Sequence, residues 1–226
     1  MFMNYDFKVE ILRCPTEEDW MRAKQLACNT VGKKAINLPT EEWKRKLLKS
    51  EHSPARTLMF TFRLTLPYYV SVHFVRHKFG VEHFVTSQRN DRQDNYDRTQ
   101  APQNSEVIHI MDINATELIF MSHRRLCNQA DPATRAVMKE ICKQVEMISP
   151  EFKGLLVPQC EYLHECSEFY PCGYWDKNIH LNKETYEMLL DSNRKLNALK
   201  CGGVDNWEGY SYSLSELYKN RLEDDE

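Results

Sequence analysis

Between Val107 and Arg125 a strand-like run gives way at once to a capped helix, and this junction constrains the fold more than any other feature. Val107 to Met111 reads as a strand. Asn114-Ala-Thr-Glu117 follows and is close to a capping box, with Asn114 supplying the cap oxygen and Glu117 reaching back. The helix it opens carries Leu118, Met121 and Arg125. Asp131-Pro132 then starts another helix, with proline at its first helical position and Met138, Ile141 and Val145 as its apolar stripe.

The same grammar recurs upstream. Phe7 to Leu12 alternates as a strand, and Thr16 caps a helix with Asp19 in its first turn. Trp20, Ala23 and Ala27 share the buried face of that helix. Thr40 caps a shorter helix bearing Trp43 and Leu47, and Leu58 to Leu64 reads as a strand. Pro67 starts a helix through Tyr69, Val72 and Val75 that delivers Arg76 at its end. Pro158 to Trp175 has no clear period. Asn182 caps a last helix with Tyr186, Leu189 and Leu196, ended by Gly202-Gly203 and followed by an acidic solvated tail, LEDDE. These elements predict an α+β protein with one main domain, residues 1–157, and a Cys-rich, helical C-terminal extension, residues 158–226.

Bulk charge excludes some partners. The 226 residues carry 30 basic and 33 acidic side chains, so no nucleic-acid polymer is expected, and any anion must be held by a local cluster. No apolar run approaches membrane-spanning length, and MFMNYDFKVE lacks the hydrophobic region of a signal peptide. A cytoplasmic protein is expected, with its 8 cysteines acting as thiols or metal ligands rather than as a disulfide framework. In CEYLHECSEFYPC, the thiols of Cys160, Cys166 and Cys172, with His164 as the weakest fourth ligand, suit a tetrahedral structural zinc. The same residues equally suit partly buried free thiols among aromatics.

Residues 76–92, RHKFGVEHFVTSQRNDR, crowd cations around apolar side chains. Arg76, Lys78, Arg89, Arg98 and Arg125 lie on different elements, each beside apolar sequence. Arginines so placed either pair with acids or face solvent, or else they serve a phosphate. Spacing alone leaves both open. His83, His109 and His180 read as surface or internally satisfied histidines, and Trp207 with Tyr210 to Tyr212 as packing residues.

Seven segments in order, ACNT, SEHSPARTLMFTFRL, FVRHK, SQR, DRTQAP, INATEL and RRLCNQADPATR, resemble the flavin-dependent thymidylate synthases over residues 7–152. Arg76-His77-Lys78 stands for that family's basic triplet and Ser87-Gln88-Arg89 for its Ser-x-Arg. His52-Ser53-Pro54 precedes the Phe60-Thr-Phe-Arg63 strand as in the family. Arg98, Pro102, Asn114 and Arg125 follow in order.

The resemblance implies a mixed or antiparallel sheet with packed helices. It further implies reductive methylation of dUMP, or a related deoxyuridylate, with methylenetetrahydrofolate, FAD and NADPH. The family forms homotetramers whose active sites are shared between chains. Arg89 and Arg98 would then bind the nucleotide phosphate. Arg125 would face the uracil and stabilise charge on it, with Ser87 and His73 also toward the nucleotide. Arg76, His77, Lys78, His52, Ser53, Asn114 and Thr116 would hold the flavin. The chain departs from the family pattern at Lys78, His73, Val85 and Arg56, and in the short stretch between Arg89 and Arg98. Two other readings remain: a flavin-free deoxynucleotide-binding protein, and a zinc-stabilised interaction module whose function lies in the C-terminal extension.

Overall fold

The computed structural model describes residues 6–92, 97, 99–177, 181 and 183–212. Arg98, His180, the cap residue Asn182 and the acidic tail lie outside the described residues. The chain divides into two compact units, residues 1–175 and 176–226. The cysteine-rich stretch therefore belongs to the first unit, and only the helical part of the extension lies in the second.

The first unit is built on a four-stranded antiparallel sheet in the order β1-β2-β4-β3. Its strands are β1 (Lys8–Arg13), β2 (Met59–Pro67), β3 (Val81–Val85) and β4 (Glu106–Asn114). Alternation along β2 decides which face is covered. Phe60, Phe62, Leu64 and Leu66 are buried, while Thr61, Arg63 and Thr65 lie on the other face. On β4, Val107, His109, Met111 and Ile113 fall on the buried face. Antiparallel register aligns the two sets, with Phe60 opposite Ile113 and Phe62 opposite Met111. Each such side chain contributes about 1.5–3 kcal/mol of apolar burial.

The helices of this unit are α1 (Glu17–Asn29), α2 (Glu41–Lys49), α3 (Tyr68–Val75), α4 (Ala115–Arg125), α5 (Pro132–Ile148) and α6 (Gln159–Leu163). Their starts follow the expected local chemistry. Thr16 and Asp19 form a complete capping box on α1, and the side chains of Thr40, Asn114 and Asp131 each accept a first-turn N–H. Leu118 and Met121 of α4, and Val137, Ile141 and Val145 of α5, are buried in the same core as the β2 and β4 side chains.

The expected capping box at Asn114 is only half formed. Asn114 Oδ1 accepts the Glu117 N–H at 2.9 Å, but Glu117 does not reach back. The Asn114 N–H donates instead to the Gly80 carbonyl at 2.9 Å, which docks the turn before β3 onto the start of α4. Gly80 has φ +73°, and a Cβ there would lie 2.3 Å from the Asn114 side-chain Nδ2, so glycine suits both the left-handed backbone and the amide packed against it.

The second unit contains α7 (Lys183–Cys201). Its side chains are largely exposed, including Tyr186, Met188, Leu189, Leu196 and Leu199. Among the described residues, no helix is long and apolar enough to cross a membrane.

Candidate functional site

The carboxylate of Glu117 turns from its own helix start toward the end of α3. Its Oε1 lies 2.7 Å from His77 Nδ1, with both side chains buried. The other ring nitrogen, Nε2, lies 3.1 Å from Arg125 Nε on the last turn of α4. Arg125 Nε–H is obligatorily a donor, so His77 Nε2 accepts, and the imidazole must carry its proton on Nδ1 and donate to Glu117. Glu117, His77 and Arg125 thus form one directed chain that fixes the guanidinium plane. Burial, followed by the like charges of Arg76 and Arg124, depresses the Arg125 pKa.

Around this chain lies a cavity of about 280 Å³ bounded by Arg76, Lys78, Phe79, Phe120, Arg124 and Arg125. Arg76 and Lys78 have no side-chain partner among the described residues. Arg124 donates to Glu168 at 2.9 Å and lies over the Phe120 ring, 5.8 Å from its centroid. Phe79 is 87 % exposed. Among the described residues on the wall the carboxylate is that of Glu117, and it is engaged by His77. Free cations beside exposed aromatic rings suit an anion that carries a planar ring.

A second hydrogen-bonded chain braces the first from behind. His83 Nε2 lies 2.9 Å from the His77 carbonyl and must donate to it. His83 Nδ1 therefore accepts from His109 Nε2 at 2.9 Å, and His109 Nδ1 accepts from the Ser71 hydroxyl at 3.0 Å. Both rings are neutral: burial lowers the His83 pKa and, together with neighbouring His83, takes His109 to about 4. These two histidines are partners of each other across 26 positions, a pairing that no local pattern records.

The expected site residues separate into groups. Arg76, His77, Lys78 and Arg125 come together, with His73 close enough to Arg76, Arg125 and Asp131 to feel their charges; burial is the main cause of its lowered pKa. Asn114 and Thr116 stand at the start of α4. Thr116 Oγ1 is buried with no hydrogen-bond partner, beside a smaller cavity of about 200 Å³ lined also by Glu51, Ala55 and Phe120. His52 stands at the N-cap position without a side-chain capping bond, and Ser53 begins the short helix Ser53–Thr57, which packs against α4.

Ser87 and Arg89 do not line the cationic cavity. Arg89 is exposed and makes a two-pronged pair with Asp91 at 2.9 and 2.6 Å. Cys160, Cys166 and Cys172 are free thiols, and among the described residues no group of three or more His, Cys, Asp or Glu is placed to hold a metal ion. The zinc expectation therefore finds no assembled ligand set there. Sequence reasoning missed Glu117, Phe120 and Arg124, which follow one another on α4 at spacings of three and four residues.

Among solved structures, the chain is similar to a UMP/dUMP methylase, PolB from Streptomyces cacaoi. With 5-Br UMP bound, that protein is 14 % identical with a TM-score of 0.50, over 68 % of this chain and 97 % of that one. Its 5-Br dUMP complex is 13 % identical with a TM-score of 0.48, over 65 % and 93 %. The likeness is one of fold. A family model described as Phage T7 gp5.9 RecBCD inhibitor matches residues 173–226, nearly the span of the second unit. No curated protein matches the chain.

Proposed function

We propose that the first unit binds a uridylate-type nucleotide and methylates its pyrimidine ring. The observation that carries this reading is the Arg125 guanidinium, aligned by His77 and Glu117 and set beside Arg76 and Lys78, which have no side-chain partner among the described residues. The fold likeness to a protein described as a UMP/dUMP methylase supports it, as do the ordered motifs of residues 7–152. Arg125 faces the pyrimidine and stabilises negative charge as the ring becomes nucleophilic at its C5 carbon. Arg89, with Arg98, takes the nucleotide phosphate by exchanging Asp91 for it.

The finer reading is a flavin-dependent thymidylate synthase. Two features of the chain fit a phosphate-bearing flavin: the unpaired Arg76 and Lys78, and the unsatisfied Thr116 Oγ1 at a helix start. When bound, FAD supplies the reducing electrons drawn from NADPH, and methylenetetrahydrofolate supplies the carbon. Cavities of about 280 and 200 Å³ do not enclose a whole dinucleotide, so this reading requires sites shared between chains of a homotetramer.

The absorption spectrum of the purified protein and tritium release from C5-labelled dUMP test both levels. A flavin band and tritium release lost in Arg125→Ala are expected. A colourless protein that takes up no FAD yet binds dUMP in calorimetry would leave the flavin-free nucleotide-binding reading in its place. Absence of binding to dUMP and UMP would overturn both.

A second reading concerns the second unit alone, and the family match over residues 173–226 favours it. This segment carries 11 acidic against 7 basic side chains, and α7 exposes Leu189 and Leu196. We propose that it acts on a RecBCD-type nuclease as an inhibitor. Full-length protein should slow such a nuclease on linear duplex DNA, and a chain truncated after Trp175 should not. Equal inhibition by both would rule this out.

A further inference from the structure

A cavity of about 630 Å³ in the first unit is separate from the cationic one. It lies between α5, the turn after α4, the start of α6 and the stretch 166–175. Five of the eight cysteines line it: Cys127, Cys142, Cys160, Cys166 and Cys172. Burial raises the pKa of Cys142 and of Cys160, so these are neutral thiols, soft and polarizable. Thiols of this kind pack well against aromatic rings. Leu126, Met147, Leu156 and Trp175 supply the rest of the apolar wall.

The polar groups of the wall are unbalanced. Its three carboxylates are all engaged. Glu146 accepts the Gly154 N–H at 3.1 Å, Glu161 the Tyr174 hydroxyl at 2.8 Å, and Glu168 the Arg124 guanidinium at 2.9 Å. The guanidinium of Arg135 is likewise committed, to the Asn128 carbonyl at 2.8 Å. Lys139 and Lys153, by contrast, have no side-chain partner among the described residues. Gln159 Oε1 is buried and lacks a donor among the described residues, an arrangement that costs about 1–3 kcal/mol unless something supplies one.

We infer that this cavity is a second small-molecule site, for an aromatic anion that carries an N–H or O–H donor. The ring packs among the thiols and Trp175, the anionic group meets Lys139 and Lys153, and the donor satisfies Gln159 Oε1. The volume lies within the range of ligand pockets. The inference does not rest on the nucleotide reading: Lys139, Lys153, Gln159 and Trp175 lie outside the cationic cavity, and Arg124 of that cavity reaches this wall through Glu168.

The test is titration of the full chain with anilinonaphthalene sulfonate, an aromatic sulfonate with one N–H, combined with residue-resolved maleimide labelling. Saturable binding is expected, with a Kd on the order of 10 µM. The bound probe should slow labelling of Cys160, Cys166 and Cys172 at least tenfold and leave Cys14, Cys28 and Cys201 unchanged. The pair Lys139→Glu and Lys153→Glu, both on exposed side chains, should weaken binding at least tenfold without lowering the melting temperature. Uniform slowing at all the reactive thiols, or undiminished affinity in the charge-reversed pair, would overturn the inference. So would masking of the same thiols in probe-free protein as its concentration rises, which would assign the cavity to contact between copies.

Discussion

Arg125 donates from Nε to Nε2 of His77 across 3.1 Å, a bond between an obligatory donor and a ring that must be neutral to receive it. The cost of breaking this arrangement falls on the orientation of the guanidinium rather than on its charge. Glu117→Leu removes the acceptor for His77 Nδ1–H, while Glu117→Gln keeps one. A charge-assisted hydrogen bond contributes about 1.5–3 kcal/mol. The leucine variant should therefore lose roughly 10- to 100-fold in kcat/KM, with the glutamine variant recovering most of it. Steady-state kinetics on both variants checks this, and equal losses would show that the carboxylate charge itself is used.

The unpaired cations should control affinity. Arg76→Ala and Lys78→Ala each remove one partly exposed positive charge from the cavity wall. Each should weaken binding of a phosphate-bearing ligand by about 5- to 20-fold, with a reduced salt dependence. Arg92→Ala, whose side chain faces Asp91 on the surface, should leave affinity unchanged. Calorimetry at two ionic strengths separates the three.

His109 makes stability depend on pH. Its folded pKa is about 4, below the usual value near 6.5. The unfolded chain therefore binds more protons between those values, and folding stability falls as pH drops through that window. The loss levels off below about pH 4 and amounts to about 3 kcal/mol in order of magnitude. His109→Gln should flatten this slope while lowering stability at neutral pH, because Ser71 and His83 lose their shared partner. Urea denaturation between pH 4 and 7 reads both effects.

Gly80→Ala should destabilise the protein by about 1–2 kcal/mol from positive φ alone, and by more through the contact with the Asn114 amide. Asn114→Ala in the same background should relieve part of that excess, so the two changes should be non-additive. Thermal melts of the single and double variants give the coupling directly.

Much of the fold was legible because its signals are local. The caps at Thr16, Thr40, Asn114 and Asp131 use side chains within three residues of the N–H they satisfy. The β2 pattern repeats every second residue, so it can be read without knowing what covers it. The site was legible only in part. Arg76, His77, Lys78 and Arg125 were found as residue types in order, but the pairing of His77 with Glu117 spans 40 positions. Glu117 had a satisfactory local reading as a capping residue, and that reading hid the long-range one. Arg89 shows the converse, since its pair with Asp91 two residues away is local but competes with the phosphate role. The thiols share a cavity because α5 and α6 each pack on α4, which no spacing in CEYLHECSEFYPC records.

Arg124 has one side chain facing two rooms. Its guanidinium covers Phe120 on the wall of the cationic cavity and holds Glu168 on the wall of the larger one. Both contacts are made at once, so an anion that draws Arg124 away from Glu168 leaves that carboxylate facing the larger cavity. Where an anion makes that exchange, ligands of the two cavities oppose each other through a single charge, and by reciprocity each weakens the other by the same factor.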